Sequence, residues 1–422
     1  MVKNNDRVLI YDIECSCPSG KPDPNKDILK LFGCYSYITK KYYYLVNKEQ
    51  IIKIIKQHDF IVGFNNIKYD NAVLYNNGFS QDMRKNDYGD CSFKGTINID
   101  LMDILKKRAP AMKVKAGMLG DLLMSFSLDF VTKIIGLVTE EDGKIKDFDY
   151  SVLAKDSWTA EEIIYIKDYL KRDLDVTMKL YEWLENYFDS FKTFVRQKDI
   201  DRKTYLTCST ATFAYKAACK AMDIKEEYDS TAVRDESFGG GYVALPICES
   251  FKGNILLFDF SSLYPNLFIM GNLFGNDCKC CTHDEKWSGD EFFKMKGSYC
   301  TKKLAKAGEM LKKFYLDRVE MKKAGDNREY SCKIIINSLY GAVSNPVFKN
   351  IYNLTAAEDC TSLGRQFILY ARKRFREEGY VLLMSDTDSI AVQVPDDKSK
   401  QDAQLLADYV VNELLTHMPF AW

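Results

Sequence analysis

Residues 381–394 read Val-Leu-Leu-Met-Ser-Asp-Thr-Asp-Ser-Ile-Ala-Val-Gln-Val, two apolar runs joined at MSDTDS (384–389), and this stretch decides how the second half of the chain folds. Apolar runs on either side of a tight polar turn predict a buried β-hairpin. Asp386 and Asp388 then stand at its tip, where a turn residue is the plain reading of either acid alone. Asp259 changes that reading. It ends Ile255-Leu256-Leu257-Phe258, a continuous apolar run that predicts a buried strand, and it precedes the helix-like SSLYPNLF (261–268). If the two strands are neighbours, both carboxylates project at one sheet edge. Two such charges about 4 Å apart repel by roughly 4 kcal/mol at an effective dielectric of about 20. Bound cations remove that repulsion, and hard oxygen ligands favour Mg²⁺.

Between these acids lies a predicted helical hairpin: GEMLKKFYLDRVEMKKA (308–324), the turn Gly325-Asp326-Asn327, then REYSCKIIINSLYG (328–341). Arg318 and Lys333 are nearly equidistant from the turn, so they stand at similar height on antiparallel helices and can face one triphosphate. Lys333, Asn337 and Tyr340 share one face of the second helix, with Gly341 expected to end it. Upstream, Phe238-Gly239-Gly240-Gly241-Tyr242 permits close approach of backbone to another group.

The first half alternates strand-like and helical segments: RVLIYDIE, LFGCYSYI, KYYYLV, then EQIIKIIKQ and DFIVGFNN, with helical patterns dominating from Leu101 to Phe191. This predicts an α/β domain ending near residue 195, with the polar, basic passage Arg196 to Tyr205 as the boundary. In TAEEIIYIKDYLKRD the pair Thr159 and Glu162 forms a capping box. Asp12 and Glu14 fall on one face of a strand. Asp70 closes NNIKYD (65–70), and Tyr169 and Asp173 lie one helical turn apart in YLKRD (169–173). Four acids and a tyrosine suit two-metal phosphodiester hydrolysis, with Tyr169 orienting the attacking water. YIKD (165–168) is a rival for the last of these motifs.

The chain has 422 residues, 46% hydrophobic, which implies at least two cores. Lys+Arg of 59 against Asp+Glu of 60 leaves the overall charge uninformative. The basic residues nevertheless crowd between Lys302 and Lys323 and at Arg372–Arg376, compatible with a phosphate-binding surface. Thirteen irregularly spaced cysteines and the absence of a secretory or membrane-length apolar run predict a soluble intracellular protein, with no membrane association.

Taken in order, FDFSSLYP, KIIINSLYG and SDTDS resemble the three polymerase motifs of family B DNA polymerases, and DIE, NNIKYD and YLKRD resemble the exonuclease motifs of the proofreading domain of the same family. The resemblance implies a ribonuclease H-like 3′→5′ exonuclease domain (1–195, α/β), then a linker and the start of the polymerase domain (196–250). A palm of α+β type follows, an antiparallel sheet with helices (251–305 and 341–422), with a helical-hairpin fingers subdomain (306–340) between its parts. It implies Asp259, Asp388 and the carbonyl of Phe260 as metal ligands, with Asp386 an accessory acid near the primer end. Lys333, Arg318, Asn337 and Tyr340 would bind the incoming deoxynucleoside triphosphate, and Tyr264 would be a steric gate against a 2′-hydroxyl. In the exonuclease, Asp12, Glu14, Asp70 and Asp173 would hold metal and Tyr169 would assist, while Asn66 and Tyr69 would contact a frayed single strand. Lys146, in KIKDFDY, is a further candidate in competition with Lys144. The cofactors implied are Mg²⁺ or Mn²⁺, two ions per active site, and the partners are primed DNA template and deoxynucleotides. Phage polymerases look nearest in NNIKYDNAVLYNNGF and NSLYGAVSNP.

Three departures from the family pattern stand out. Met384 occupies a position that is usually aromatic. Gly239-Gly240-Gly241 only approximates a Tyr-x-Gly-Gly motif, through which Gly240 and Gly241 would touch DNA. The sequence stops at Trp422 with no thumb, so a second polypeptide carrying one, or its removal from this chain, is expected. The alternative function is an exonuclease or DNA-binding subunit whose palm is incomplete alone. The spacing in Cys278-Lys279-Cys280-Cys281-Thr282-His283, even with Cys300, is tighter than usual zinc ligand pairs, so free thiols in a short insertion are expected.

Overall fold

A computed structural model of the chain describes residues 7–139, 141, 148–233, 239–244 and 253–422. Lys144, Lys146 and Phe238 lie outside them. The chain divides into two compact units, Met1–Ser209 and Thr210–Trp422. The first ends past the boundary expected near 195, because residues 196–209 fold back onto it. Tyr205 is fully buried, its carbonyl accepts from the Arg108 guanidinium at 2.7 Å, and Lys203 pairs with the buried Glu185 at 3.3 Å.

In the first unit β1 (Val8–Ser16), β2 (Ile28–Ser36), β3 (Lys41–Leu45), α1 (Lys48–Lys56), β4 (Phe60–Gly63), α2 (Asp70–Leu74), β5 (Ile97–Asp100), α3 (Leu101–Arg108) and the long α4 (Ala160–Tyr187) carry the architecture. The sheet order is β3-β2-β1-β4-β5, antiparallel across the first three strands and parallel across the last three. β1 is therefore central, and seven of its nine residues are buried. The helix-dominated region expected from 101 to 191 is broken. Between α3 and α4 the described residues form only two shorter α-helices, Leu119–Leu122 and Leu128–Ile135, and two 3-10 turns, Ala109–Ala111 and Tyr150–Ala154, among turns and small strands. α4 begins with the Thr159/Glu162 capping box, whose two reciprocal hydrogen bonds satisfy donors that helix starts leave open.

Why α4 can lie so close to the sheet is a matter of one missing side chain. A Cβ at Gly33 would fall 2.5 Å from Leu170 Cδ2, and Gly33 is the register partner of Asp12. Leu170 thus seats the helix directly beside the acid on β1, with Tyr169 and Asp173 turned the same way and buried.

The second unit contains α5 (Thr210–Met222), β6 (Val243–Ala244), β7 (Ile255–Asp259), α6 (Leu263–Met270), β8 (Trp287–Gly289), β9 (Lys294–Tyr299), α7 (Lys306–Lys323), α8 (Arg328–Val343), α9 (Leu354–Glu377), β10 (Val381–Asp386), β11 (Ser389–Gln393) and α10 (Lys400–Thr416). Its antiparallel sheet runs β6-β10-β11-β7. Only β11 has a buried body. The strand 255–259, expected to be buried, is instead at the sheet's edge and alternates in exposure, with Leu257 67% exposed. β10 is likewise mostly open, so only half of the hairpin is buried. α7 and α8 form the expected hairpin, turned at Gly325 with φ +68°, but α8 runs through Gly341 to Val343 rather than stopping there. Gly341 does not take the positive φ by which a glycine ends a helix, so the helix passes through it. No described helix is long and apolar enough to cross a membrane.

Candidate functional site

The second unit's sheet delivers its acids by register. β7 pairs with β11 so that Asp259 faces Ser389, and β10 pairs with β11 so that Asp386 faces the same Ser389. Asp388 lies in the turn between them, next to Thr387, a non-glycine residue at φ +51°. The Phe260 N–H donates to the Asp388 carbonyl at 2.8 Å, and the Thr387 N–H donates to the Tyr242 carbonyl at 2.8 Å, which pins the tip. Burial raises the Asp388 carboxyl above the ordinary carboxylate range; Asp259 and Asp386 raise it further, and Lys333 opposes them.

These groups open onto a cavity of about 430 Å³. Asp259 and Asp388 line one part of it, and Arg318, Lys322, Lys333, Asn337 and Tyr340 from the helical hairpin line another. Arg318 is held in place: its Nη1 donates to Ser262 Oγ at 2.9 Å and its Nε lies 3.3 Å from Glu329. Asp386 and Phe260 are not among the lining residues; Asp386 is exposed and accepts from its neighbour Thr387 Oγ1 at 2.9 Å. Tyr264 also lines the cavity, with its ring centroid 5.0 Å from that of Tyr340.

The glycine tract finds its partner here. A Cβ at Gly241 would lie 2.8 Å from Thr387 Cγ2 and 3.0 Å from the Tyr264 hydroxyl, so only glycine fits without a shift. Arg365 fixes the preceding backbone by donating to the carbonyls of Gly239 and Gly240 at 2.7 and 2.6 Å. Gly364, one residue away on α9, lies against the Tyr264 ring, with a hypothetical Cβ at 3.0 Å from Cε1. Arg365, Gly364, Ser262 and Lys322 were not singled out from sequence. Only the crowding of basic residues in 302–323 pointed towards Lys322.

In the first unit Asp12 and Glu14 project from β1, Asp70 opens α2, and Tyr169 and Asp173 come from α4. Burial raises the Asp70 carboxyl well above its usual range, and Asp12 adds to the rise both by charge and by a side-chain hydrogen bond. Burial raises the Tyr169 hydroxyl, with Asp173, Tyr150 and Glu14 contributing. Phe148 stacks on Tyr169 at 3.9 Å, and the Tyr150 and Tyr169 hydroxyls are 2.8 Å apart. Asp70 thus interacts with Asp12, and Tyr169 with Asp173 and Glu14. Of the rival pair, Asp168 is exposed, while Tyr165 stacks on Phe148 at 5.0 Å and accepts from the Asp149 N–H at 3.0 Å.

Two further acids build this site without having been expected. Asp100 is buried; it caps α3 and accepts from the N–H groups of Asn65 and Ile67, fixing the turn that leads to Asp70. Asp27, also buried, accepts from the Tyr69 hydroxyl at 2.6 Å. Asn66, expected to touch a single strand, is 0% exposed and packs over Gly63, so its side chain is part of the frame instead. Tyr69 stays half-exposed.

Asp70 in one set and Asp388 in the other hold their protons more tightly than an ordinary carboxyl, and hard oxygen donors of this kind suit Mg²⁺ or Mn²⁺. The family model for DNA polymerase family B matches residues 206–286. The DNA polymerase of Archaeoglobus fulgidus is 24% identical across 97% of this chain and 52% of its own length. DNA polymerase 1 of Pyrococcus abyssi is 24% identical across 87% of this chain and 49% of its own, and the DNA polymerase of Thermococcus gorgonarius is 30% identical across 44% and 26%. The chain spans about half the length of the first two. In fold it is similar to the family B DNA polymerase of the archaeon Pyrobaculum calidifontis, with a TM-score of 0.58 and 18% identity over 96% of this chain and 55% of that one.

Proposed function

The chain belongs to the family B DNA polymerases, and from that premise we propose that it is a DNA-templated DNA polymerase with a 3′→5′ proofreading exonuclease, working on primed DNA with deoxynucleoside triphosphates. The first unit is the ribonuclease H-like exonuclease. In the second unit the four-stranded sheet with its helices is the palm, and α7 with α8 forms the fingers. The observation that carries the reading is the convergence of Asp259, Asp388, Arg318 and Lys333 on one cavity.

Arg318 and Lys333 receive the triphosphate, one as a fixed fork and one as a mobile point charge. Asn337 and Tyr340 continue that surface along the helix. Tyr264, its ring tilted against that of Tyr340, forms the plate under the sugar and excludes a 2′-hydroxyl. Divalent cations held by Asp259 and Asp388 would lower the pKa of the primer 3′-hydroxyl and neutralise the triphosphate as pyrophosphate leaves. In the first unit Asp12, Glu14, Asp70 and Asp173 are the cation ligands, and Tyr169, backed by Tyr150, orients the water that attacks the terminal phosphodiester.

The deciding measurement is Mg²⁺-dependent addition of one deoxynucleotide to a primed template. Asp388→Asn is expected to abolish addition while single-strand degradation continues. Addition at the wild-type rate by that variant would overturn the polymerase reading.

A further inference from the structure

The loop Asn276–Lys286 contains no large aliphatic or aromatic side chain, so it has no apolar core to hold it. Yet it brings three cysteines against a fourth from 19 residues further along. The sulfurs of Cys278, Cys280, Cys281 and Cys300 all lie within 4.8 Å of one another. The separations are 3.3 Å for Cys280 to Cys300, 3.5 Å for Cys281 to Cys300 and 3.9 Å for Cys280 to Cys281. A disulfide needs about 2.05 Å, so these are thiols, not bridges. Burial does not explain the convergence either, since Cys280 is exposed and Cys278 and Cys281 are only half-buried.

A tetrahedron of sulfurs around zinc, with Zn–S of about 2.3 Å, has edges of about 3.8 Å, and the observed separations bracket that value. A four-iron cluster would spread its thiolates wider around an iron–sulfur cube. We propose that Cys278, Cys280, Cys281 and Cys300 bind a single zinc ion as a tetrahedral tetrathiolate. This replaces the expectation of free thiols. His283, the other candidate in the loop, is exposed beside Asp284 and takes no part. Each thiol gives its proton to solvent as its sulfur bonds the metal, and no oxidation state changes.

The surroundings are built for a fixed Cys300. Its N–H donates to the Gly275 carbonyl at 3.1 Å, its carbonyl accepts from the buried Asn272 amide at 2.8 Å, and its sulfur accepts from the Lys303 N–H at 3.4 Å. Such an N–H to sulfur contact is an outer-shell bond of the sort that orients metal ligands. Cys300 immediately follows β9, and the β8–β9 pair starts from Trp287 opposite Tyr299, so the ion would staple the loop to the open end of this hairpin. The hairpin rests on α9 through Asp359, which accepts from the N–H groups of Lys296 and Gly297 and from the Tyr299 hydroxyl at 2.7–2.8 Å. The zinc is therefore structural. It secures the segment connecting the helix that carries Tyr264 to the helix that carries Arg318.

The test is metal analysis of the full chain expressed with zinc, independent of any polymerase or nuclease assay. About one zinc per chain is expected. Exchange for Co²⁺ should give the intense visible bands and near-ultraviolet thiolate charge-transfer absorption of a tetrahedral tetrathiolate. Cys300→Ser and the Cys278→Ser/Cys281→Ser pair should lose most of the metal. Wild-type protein without metal, with all four thiols reacting freely with a thiol reagent, would overturn the proposal. So would a coloured iron-bound protein, or undiminished zinc in the variants. If a variant fails to fold, the wild-type cobalt spectrum still decides by its thiolate signature.

Discussion

The two acid centres solve one electrostatic problem in opposite ways. In the first unit Asp12 and Glu14 project from the central strand, Asp173 comes from α4, and Asp70, at the start of α2, is buried with Asp12 against it. In the second, the acids stand at a sheet edge and a hairpin turn, open to a cavity of about 430 Å³ with cations on its wall. A buried centre is shaped by packing, whereas an open one is shaped by charge. Under the proposed reading, trimming would need only one strand end and water to enter the first centre, while synthesis would have to admit a triphosphate with its charge to the second.

The sharpest way to break this contrast is to cross the two sites. Asp388→Asn should cut deoxynucleotide addition by at least about 10³-fold, roughly 4 kcal/mol of transition-state stabilisation, and spare degradation. Asp12→Ala should do the reverse, and primer-extension and single-strand degradation assays read both. Next in size, Lys333→Ala should lower kcat/KM for deoxynucleotides by about 10²-fold in steady-state incorporation, because a charge-assisted phosphate contact is lost. Tyr264→Ala should lower the preference for deoxy- over ribonucleotides by about 10- to 100-fold, measured as a ratio of kcat/KM values.

Packing dominates the other centre. Gly33→Val should destabilise the chain by about 1–3 kcal/mol, seen by thermal melting, because Leu170 must move off the sheet. Degradation should fall while single-nucleotide addition holds. The smallest effect concerns protons. Asp70 binds its proton more tightly in the folded chain than in the unfolded one. Its contribution to stability is therefore fully present below the unfolded carboxylate pKa of about 4 and is lost as pH rises through the raised folded value. A cation at the site offsets that loss, so Mg²⁺ should raise Tm by about 2–4 °C near pH 8 and by less near pH 6. Asp70→Asn should flatten this dependence.

What could be read from the residues was whatever is local in sequence. Period-two alternation placed Asp12 with Glu14, helical spacing placed Tyr169 with Asp173 and Lys333 with Tyr340, and the capping box marked the start of α4. Long-range pairing was not legible in the same way. Nothing in Ile255–Phe258 says that this strand takes an edge, so its apolar run suggested burial it does not have. Gly33 carries no signal for Leu170 137 positions later, since a missing Cβ has meaning only once the helix is seated. Asn66 and Asp100 belong to the frame of the acid centre, which polar character alone does not distinguish from contact with substrate. The approach of Cys300 to the three loop cysteines has no local signal either, because it arrives through a hairpin.

The glycines flanking Tyr264 have a consequence for changing sugar selectivity. Under the reading above, the plate's position is set from behind, by Gly241 and Gly364, as much as by the tyrosine itself. Adding one methyl at position 364 would tilt the ring by a few tenths of an ångström without altering its chemistry. An engineer wanting an enzyme that accepts bulkier sugars could therefore leave the aromatic residue intact and adjust its backrest.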